Sequence, residues 1–396
     1  GPSSSHTAGS YHIGLIARHL LGTTPLRGTI SFDENGSYCR TYVQQGVDQA
    51  FVTGLMGWKQ TDEIFTRALS TAHERGVHFD FEIVSLADAD HPNFARIALE
   101  DHDGQQLIVD AKSVGGGTFR VIRVQGGDVL IDGKCFETVL SVSADARAEV
   151  SEFITETFPK AALRESAAGD SSILYQLSTN QPLDVSLFSQ LSHETTIRQA
   201  APVYFVQQSE APFTSGREML DFAHKHGYSL GEAVLQYEKT VLGITEDEAV
   251  EQMLHRYSVM KQSVADGLAD EKVNMLLIEA MAGTIMDNVM TRRVAIGGLH
   301  SQAAAAAMAA MHTCNSRGVV CAAPTGGSAG TIPGIMTVLE DEYDLDDRQL
   351  AHMLFAAGGV GLILAIRGTF AAEVAGCQVE IGAAGAMGAA AVVEFA

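Results

Sequence analysis

Apolar residues recur at helical spacing almost from the start of the chain. In "YHIGLIARHLL", Ile13, Ile16, Ala17 and Leu20 share one face. The period then changes. "GTISFD", "FDFEIVSL", "FARIALED", "QQLIVDAK" and "TFRVIRV" alternate apolar and polar positions and predict strands. Between them, "GVDQAFVTGLMGW" and "TDEIFTRALSTAHERG" predict helices, the second amphipathic. Residues 1–140 therefore read as an α+β domain with a mostly antiparallel sheet. "SVGGGTF" separates two of the strands with three glycines, which let the backbone turn and let a neighbour or ligand approach closely.

Residues 141–211 read as a connector with some structure of its own. "ADARAEVSEFITETF" predicts a helix, while "AAGDSSILYQLSTNQPLD" and "QAAPVYFVQQSEAPFTSG" carry turn and breaker residues. From 212 to 396 the pattern is helical. "SGREMLDFAHKHG", "SLGEAVLQYEKTVLG" and "TEDEAVEQMLHRYSVMKQSVADGL" each open on Ser or Thr with Glu three residues on, the capping-box pattern. After 301 polarity nearly vanishes: Arg317 is the single charged residue in "SQAAAAAMAAMHTCNSRGVVCAAPTGGSAGTIPGIM". Helices this rich in Ala and Gly lack a wide surface face and are expected to be buried. The result is an all-α, Gly/Ala-rich domain, built either to enclose a ligand or simply to pack closely.

Composition narrows the function classes. The 396 residues are 46% hydrophobic and 19% charged, with a formal net charge of −22. That balance excludes a basic nucleic-acid stripe. A small anion remains possible as a ligand, because a local cradle of N–H groups overrides the global field. Five cysteines, an odd number spread over the chain, do not make a disulfide scaffold and suit a reducing compartment. The start lacks a basic segment followed by an apolar one. The longest apolar runs, "AAAAAMAAM" and the Gly-broken "MLFAAGGVGLILAI", fall short of a span of about 20 residues. A soluble, cytoplasmic protein with no membrane partner is expected.

Three stretches carry candidate chemistry. "GPSSSHTAGS" places Ser3, Ser4, Ser5, His6 and Thr7 just before a helix. It is either a mobile terminus or an anion site of hydroxyls and helix N–H groups. Cys321 precedes a Pro-Thr-Gly-Gly loop, and Cys377 lies between Gly376 and Gln378. Thiolates among small residues suit a soft metal or an iron–sulfur cluster. They equally suit packed structural thiols, and no C-x-x-C pair is present. Cys314 and His312 lie close upstream as further ligands or as packing residues; Cys39 and Cys135 carry no role. No dinucleotide fingerprint, phosphate loop or nucleophile elbow appears. The absence of lysine after Lys272 disfavours a pyridoxal-phosphate lysine in the last part.

These blocks, in this order, resemble the iron–sulfur-dependent L-serine dehydratases. "GPSSSHTAGS" is similar to their N-terminal hallmark; "GVDQAFVTGLMG", "HPN" at 91–93 and "SVGGG" are similar to their β domain. "MLHRYSVMKQSVADGL", "CNSRGVVCAAPTGGSAGTIPG" and "AEVAGCQVEIGAAGAMGAAAVVE" are similar to their α domain. The resemblance implies a [4Fe–4S] cluster held by thiolates, with Cys321 and Cys377 at ligand positions and a further cysteine drawn from beyond "VVEFA". A second branch of the family carries cysteines where this chain has Ala329 and Gly385.

The implied reaction removes the α-proton and the hydroxyl of L-serine. A cluster iron acts as Lewis acid, and the resulting aminoacrylate passes through an imine to pyruvate and ammonia. Ser3, Ser4, Ser5, His6 and Thr7 would hold the substrate carboxylate. His6 is the first candidate base and His312 the second. Asn315, Thr325, Ser328 and Gln378 would hydrogen-bond substrate or cluster, or else satisfy broken-helix backbone. A related lyase acting on cysteine or threonine, and a cluster-free amino-acid-binding relative, stay open. A homodimer is expected from the family and from the apolar helical domain.

Overall fold

The computed structural model describes residues 4–169, 171–269, 273–275, 278–370, 375–376 and 378–396. The chain divides into two compact units, Ser5–Val206 and Gln207–Ala396. The first is sheet-rich with mostly antiparallel strands and the second is helical.

The first unit holds a six-stranded sheet in the order β2-β1-β3-β4-β5-β6. Its strands are β1 (Arg27–Asp33), β2 (His78–Val84), β3 (Phe94–Glu100), β4 (Gln106–Gly115), β5 (Thr118–Val124) and β6 (Gly127–Ile131). Only the β1–β2 pair of this sheet is parallel, because a helical crossover joins those strands. Register lines up one apolar stripe across the inner face: Ile30 faces Ile97, Ile97 faces Val109, and Val109 faces Val124. Onto this unit's core pack Ile13, Ile16 and Leu20 of α1 (Gly9–Leu21) and Phe51 and Leu55 of α2 (Val47–Leu55), all buried. The predicted helix at 61–76 divides into a 3-10 turn and α3 (Ala68–Glu74).

The stretch 141–211 carries more regular structure than its breaker residues suggest. β7 (Phe136–Ser143), β8 (Ala162–Ala168), β9 (Ser172–Thr179) and β10 (Thr196–Ala200) form a second, antiparallel sheet, ordered β10-β7-β9-β8. One face gives Val139, Leu174 and Ala200 to the first core. The other packs Leu140, Val142, Tyr175 and Leu177 against Val150 and Ile154 of α4 (Arg147–Thr157).

The helical unit runs α5 (Gly216–His226), α6 (Leu230–Leu242), α7 (Glu246–Leu268), α8 (Ala282–Met290), α9 (Leu299–Asn315), α10 (Thr331–Tyr343), α11 (Asp347–Arg367) and α12 (Gln378–Phe395). Full capping boxes form at Ser229/Glu232 and Thr245/Glu248. At α5, Ser215 caps the helix, but the Glu218 carboxylate turns to Thr214 instead. The Gly-broken run is one continuous helix: Gly359 and Gly361 of α11 are contact points, pressed against Val234 and Met387. By length and composition α11 is long and apolar enough to cross a membrane, and half of it is buried among the other helices. Burial of the Gly/Ala-rich helices is one-sided. On α12, Ala384 and Ala391 are buried while Ile381 and Val393 are 65% and 74% exposed.

Candidate functional site

In the first unit, four chain segments meet at one end of the six-stranded sheet. Because β1, β3 and β4 alternate in direction, the C-terminal ends of β1 and β4 flank the N-terminal end of β3. Phe32 faces Ala95, and Phe94 faces Lys112. The start of α1 reaches the same place: Gly9 sits so close to Ser113 that a Cβ would collide with the Ser113 side chain.

The serine-rich start is helical. Ser4–Ala8 forms a π-helical turn that runs directly into α1. His6 and Thr7 are buried. His6 Nε2 lies 3.0 Å from Ser37 Oγ, and its ring stands edge-on to Tyr38 at 5.4 Å. Ser10 Oγ donates to the His6 carbonyl at 2.5 Å and accepts from the Tyr38 hydroxyl at 2.8 Å. Thr7 Oγ1 donates to the Gln45 carbonyl at 3.1 Å, which fixes its hydroxyl proton on the backbone. Ser3 lies outside the described residues, and Ser4 and Ser5 are described by their backbone alone.

The glycine turn beside them is held open by side chains. Gly115, Gly116 and Gly117 all have left-handed φ, of 96°, 61° and 81°, a run that glycine alone adopts without strain. Tyr204 donates its hydroxyl to the Gly117 carbonyl at 2.7 Å, and His12 Nδ1 reaches the same oxygen at 2.9 Å. Burial pushes the His12 pKa down and the Tyr204 pKa up. His12 therefore stays neutral and Tyr204 stays a donor, so the pair pins the turn without adding charge.

The "HPN" segment closes the group. The Pro92 carbonyl accepts from Ser37 N–H at 2.7 Å, and the Asn93 carbonyl accepts from Ser113 N–H at 3.1 Å. His91 Nδ1 accepts from Asn93 N–H at 3.1 Å. Asn93 is 0% exposed, and neither atom of its side-chain amide has a hydrogen-bond partner. Nothing in the sequence marks Asn93 apart from the rest of this segment. Its signal is a buried orphan amide, which exists only once the strands have assembled.

In the helical unit, the predicted cysteine loop folds back on the end of α9. Gly318 N–H donates to the Thr313 carbonyl at 2.8 Å, and Cys314 Sγ lies 3.5 Å from the Gly326 carbonyl. Thr313 Oγ1 donates to the Ser263 carbonyl of α7 at 2.7 Å. Cys321 is half-buried against the core that holds Tyr257 and Met260. Burial pushes both the Cys314 and Cys321 thiols up, and Arg256 opposes this at Cys321 only in part. A cation binding there must displace a thiol proton.

Thr325 is fully buried, its hydroxyl 3.0 Å from Ser328 Oγ. His312 is buried with Nδ1 unpaired, whereas Asn315 is exposed. Cys377 lies outside the described residues. Gln378 begins α12 and is exposed, and Glu380 approaches the loop: a Cβ on Gly327 would lie 2.5 Å from its Oε2. Thus the Cys321 loop adjoins the start of α12. Among the described residues, no group of three or more His, Cys, Asp or Glu side chains gathers as a metal-ligand set.

Comparison with known proteins places these features in context. The family model described as "Serine dehydratase alpha chain" matches residues 225–396. A "Probable L-serine dehydratase, beta chain" of Bacillus subtilis is 36% identical over 133 residues, 34% of this chain and 59% of that protein. The "L-serine dehydratase, beta chain" of Peptoniphilus asaccharolyticus is 28% identical over 151 residues, 38% of this chain and 67% of that one. A "Probable L-serine dehydratase, alpha chain" of Bacillus subtilis is 28% identical over 184 residues, 46% of this chain and 61% of that one. The chain thus spans roughly three-fifths of the length of the curated relatives it matches.

Proposed function

Because the chain belongs to the serine dehydratase family, joining parts similar to its beta and alpha chains in one polypeptide, we propose that it is an L-serine ammonia-lyase. The carrying observation is the buried His6–Ser37 pair, seated where the start of α1 meets three strand ends. A helix start supplies unpaired backbone N–H groups and a positive dipole end, the chemistry that receives a carboxylate. Ser3, Ser4 and Ser5 belong to that cradle in this reading. Thr7 shapes it through Gln45 rather than through its own hydroxyl.

His6 takes the α-proton. Its Nε2 has a hydroxyl neighbour that can hand the proton on, and its burial keeps bulk water from competing. His312, with an unpaired buried Nδ1, is the corresponding proton acceptor of the helical unit. Cys321 and Cys377 would hold a [4Fe–4S] cluster, with Thr325 and Ser328 stiffening the loop between them and α10. Such a cluster supplies a Lewis-acidic iron for the substrate hydroxyl. Asn315 and Gln378, both exposed, contribute from the rims of the two cysteine segments. Free thiols suit the reducing cytoplasm. The exposed Ile381 and Val393 of α12 support assembly as a homodimer.

The test is iron and sulfide content with L-serine turnover, on the anaerobically reconstituted full-length gene product. About four irons per chain and pyruvate formation are expected, with both lost in Cys321→Ser. His6→Ala should keep the iron and lose turnover by about 100-fold or more. Iron-free protein would overturn the cluster. Near-normal turnover in His6→Ala would overturn the base.

A further inference from the structure

A buried carboxamide with no partner is costly. The large majority of buried side-chain polar groups are paired, so an exception calls for a reason. Asn93 is such an exception at both of its side-chain atoms, the acceptor Oδ1 and the donor Nδ2. Its surroundings do not lack polar groups. Ser113 N–H donates to its carbonyl, its own N–H donates to His91 Nδ1, and Ser37 N–H donates to the carbonyl of the preceding Pro92. Each of those groups is committed elsewhere: Ser37 Oγ to His6, Ser113 Oγ to the Thr118 carbonyl, and His91 Nδ1 to the Asn93 main chain. Among the described residues, Asn93 is the only side chain with both a donor and an acceptor buried without a partner.

We infer that the Asn93 side-chain amide binds the head group of an α-amino acid. Nδ2 donates to a carboxylate oxygen and Oδ1 accepts from the ammonium. A single planar group with one donor face and one acceptor matches a zwitterion, in which the two charged groups lie on one carbon. A lone anion would use the donor and leave the acceptor orphaned. The placement agrees: Asn93 opens β3 at the sheet end where α1 begins, and the Pro92 carbonyl links its segment through Ser37 to His6. Asn93 thus orients the head group while His6 faces the α-carbon. This rests on the amino-acid reading of the site and adds a residue and a contact geometry to it.

The test is calorimetric titration of the full-length protein with L-serine and with glycine, which keeps the head group but lacks the hydroxyl, beside a thermal melt. Asn93→Leu is close in shape and removes the orphan amide. It should weaken both ligands about ten- to hundred-fold, as expected for hydrogen bonds to charged groups, and melt no lower than the wild type. Asn93→Asp loses the donor and sets a negative charge against the carboxylate, so it should weaken both ligands at least as much. Unchanged binding in the two variants overturns this inference and leaves the lyase reading standing. A lower melting point in both assigns the amide to the fold and overturns it as well. A wild type that binds neither L-serine nor glycine overturns both readings together.

Discussion

Glu137 sits on β7 with 3% of its surface exposed, and its Oε2 accepts from Gln176 and Ser178 at 2.9 and 2.6 Å. Burial outweighs those two bonds and pushes its pKa up to about 7. The folded state then holds a proton that the unfolded chain has released above its ordinary carboxylate value. Stability associated with Glu137 is therefore fully present below about pH 4.5 and is lost as pH rises through about 7. The full effect is on the order of 3 kcal/mol. Urea unfolding followed by Trp58, the single tryptophan, should show the sheet-rich unit weakening from pH 5 to pH 8. Glu137→Gln should flatten that dependence; an unchanged slope would place the titrating group elsewhere. At this scale the sequence is legible where chemistry is local. His6 and Cys321 stand out because small residues surround them. Asn93 and Glu137 do not, because their character comes from burial created by strands distant in sequence.

Glycines at helix crossings govern the elements. Gly14 of α1 and Gly54 of α2 let the two backbones touch. A Cβ on Gly14 would lie 2.6 Å from the Phe51 carbonyl oxygen, and one on Gly54 would collide with the Tyr11 carbonyl. Gly54→Ala should destabilise the sheet-rich unit by about 1–3 kcal/mol and tilt α1, moving His6 away from Ser37. The expected outcome is a lower urea midpoint by Trp58 emission, with weaker L-serine binding in the molecules that remain folded. A wild-type midpoint would show that the helices can part without cost. Capping boxes and alternating strands are legible in sequence because their signals repeat within a few residues. β7–β10 are harder to read. Their segments mix turn residues with short runs such as "SILYQLST", and partners as distant as Glu137 and Ala200 complete them. The continuous helix α11 is obscured by its glycines, which look like breaks until Val234 and Met387 are seen pressed against them.

For the whole molecule, the two units keep separate cores, so one chain contains two folding problems of different range. The helical unit pairs the consecutive helices α9 with α10 and α11 with α12, and adds the longer-range pairs α7 with α9 and α6 with α11. The sheet-rich unit depends on distant partners. His12 reaches Gly117 across 105 residues and Tyr204 across 192. After dilution from denaturant, most helical ellipticity should return before Trp58 emission, because loop-closure entropy slows non-local pairing. Simultaneous recovery would mean that the units fold as one.

The same long reach bears on the meeting of chain segments at the sheet end. Residues 5–10, 36–38, 91–93 and 113–118 gain proximity only after three loops of differing length have closed. A partly folded form that lacks β3 or β4 loses the constellation, because those strands place residues 91–93 and 113–118 side by side. Recognition of a small ligand there would thus be a property of the finished fold, and a ligand bound there would return free energy to contacts that span long stretches of chain.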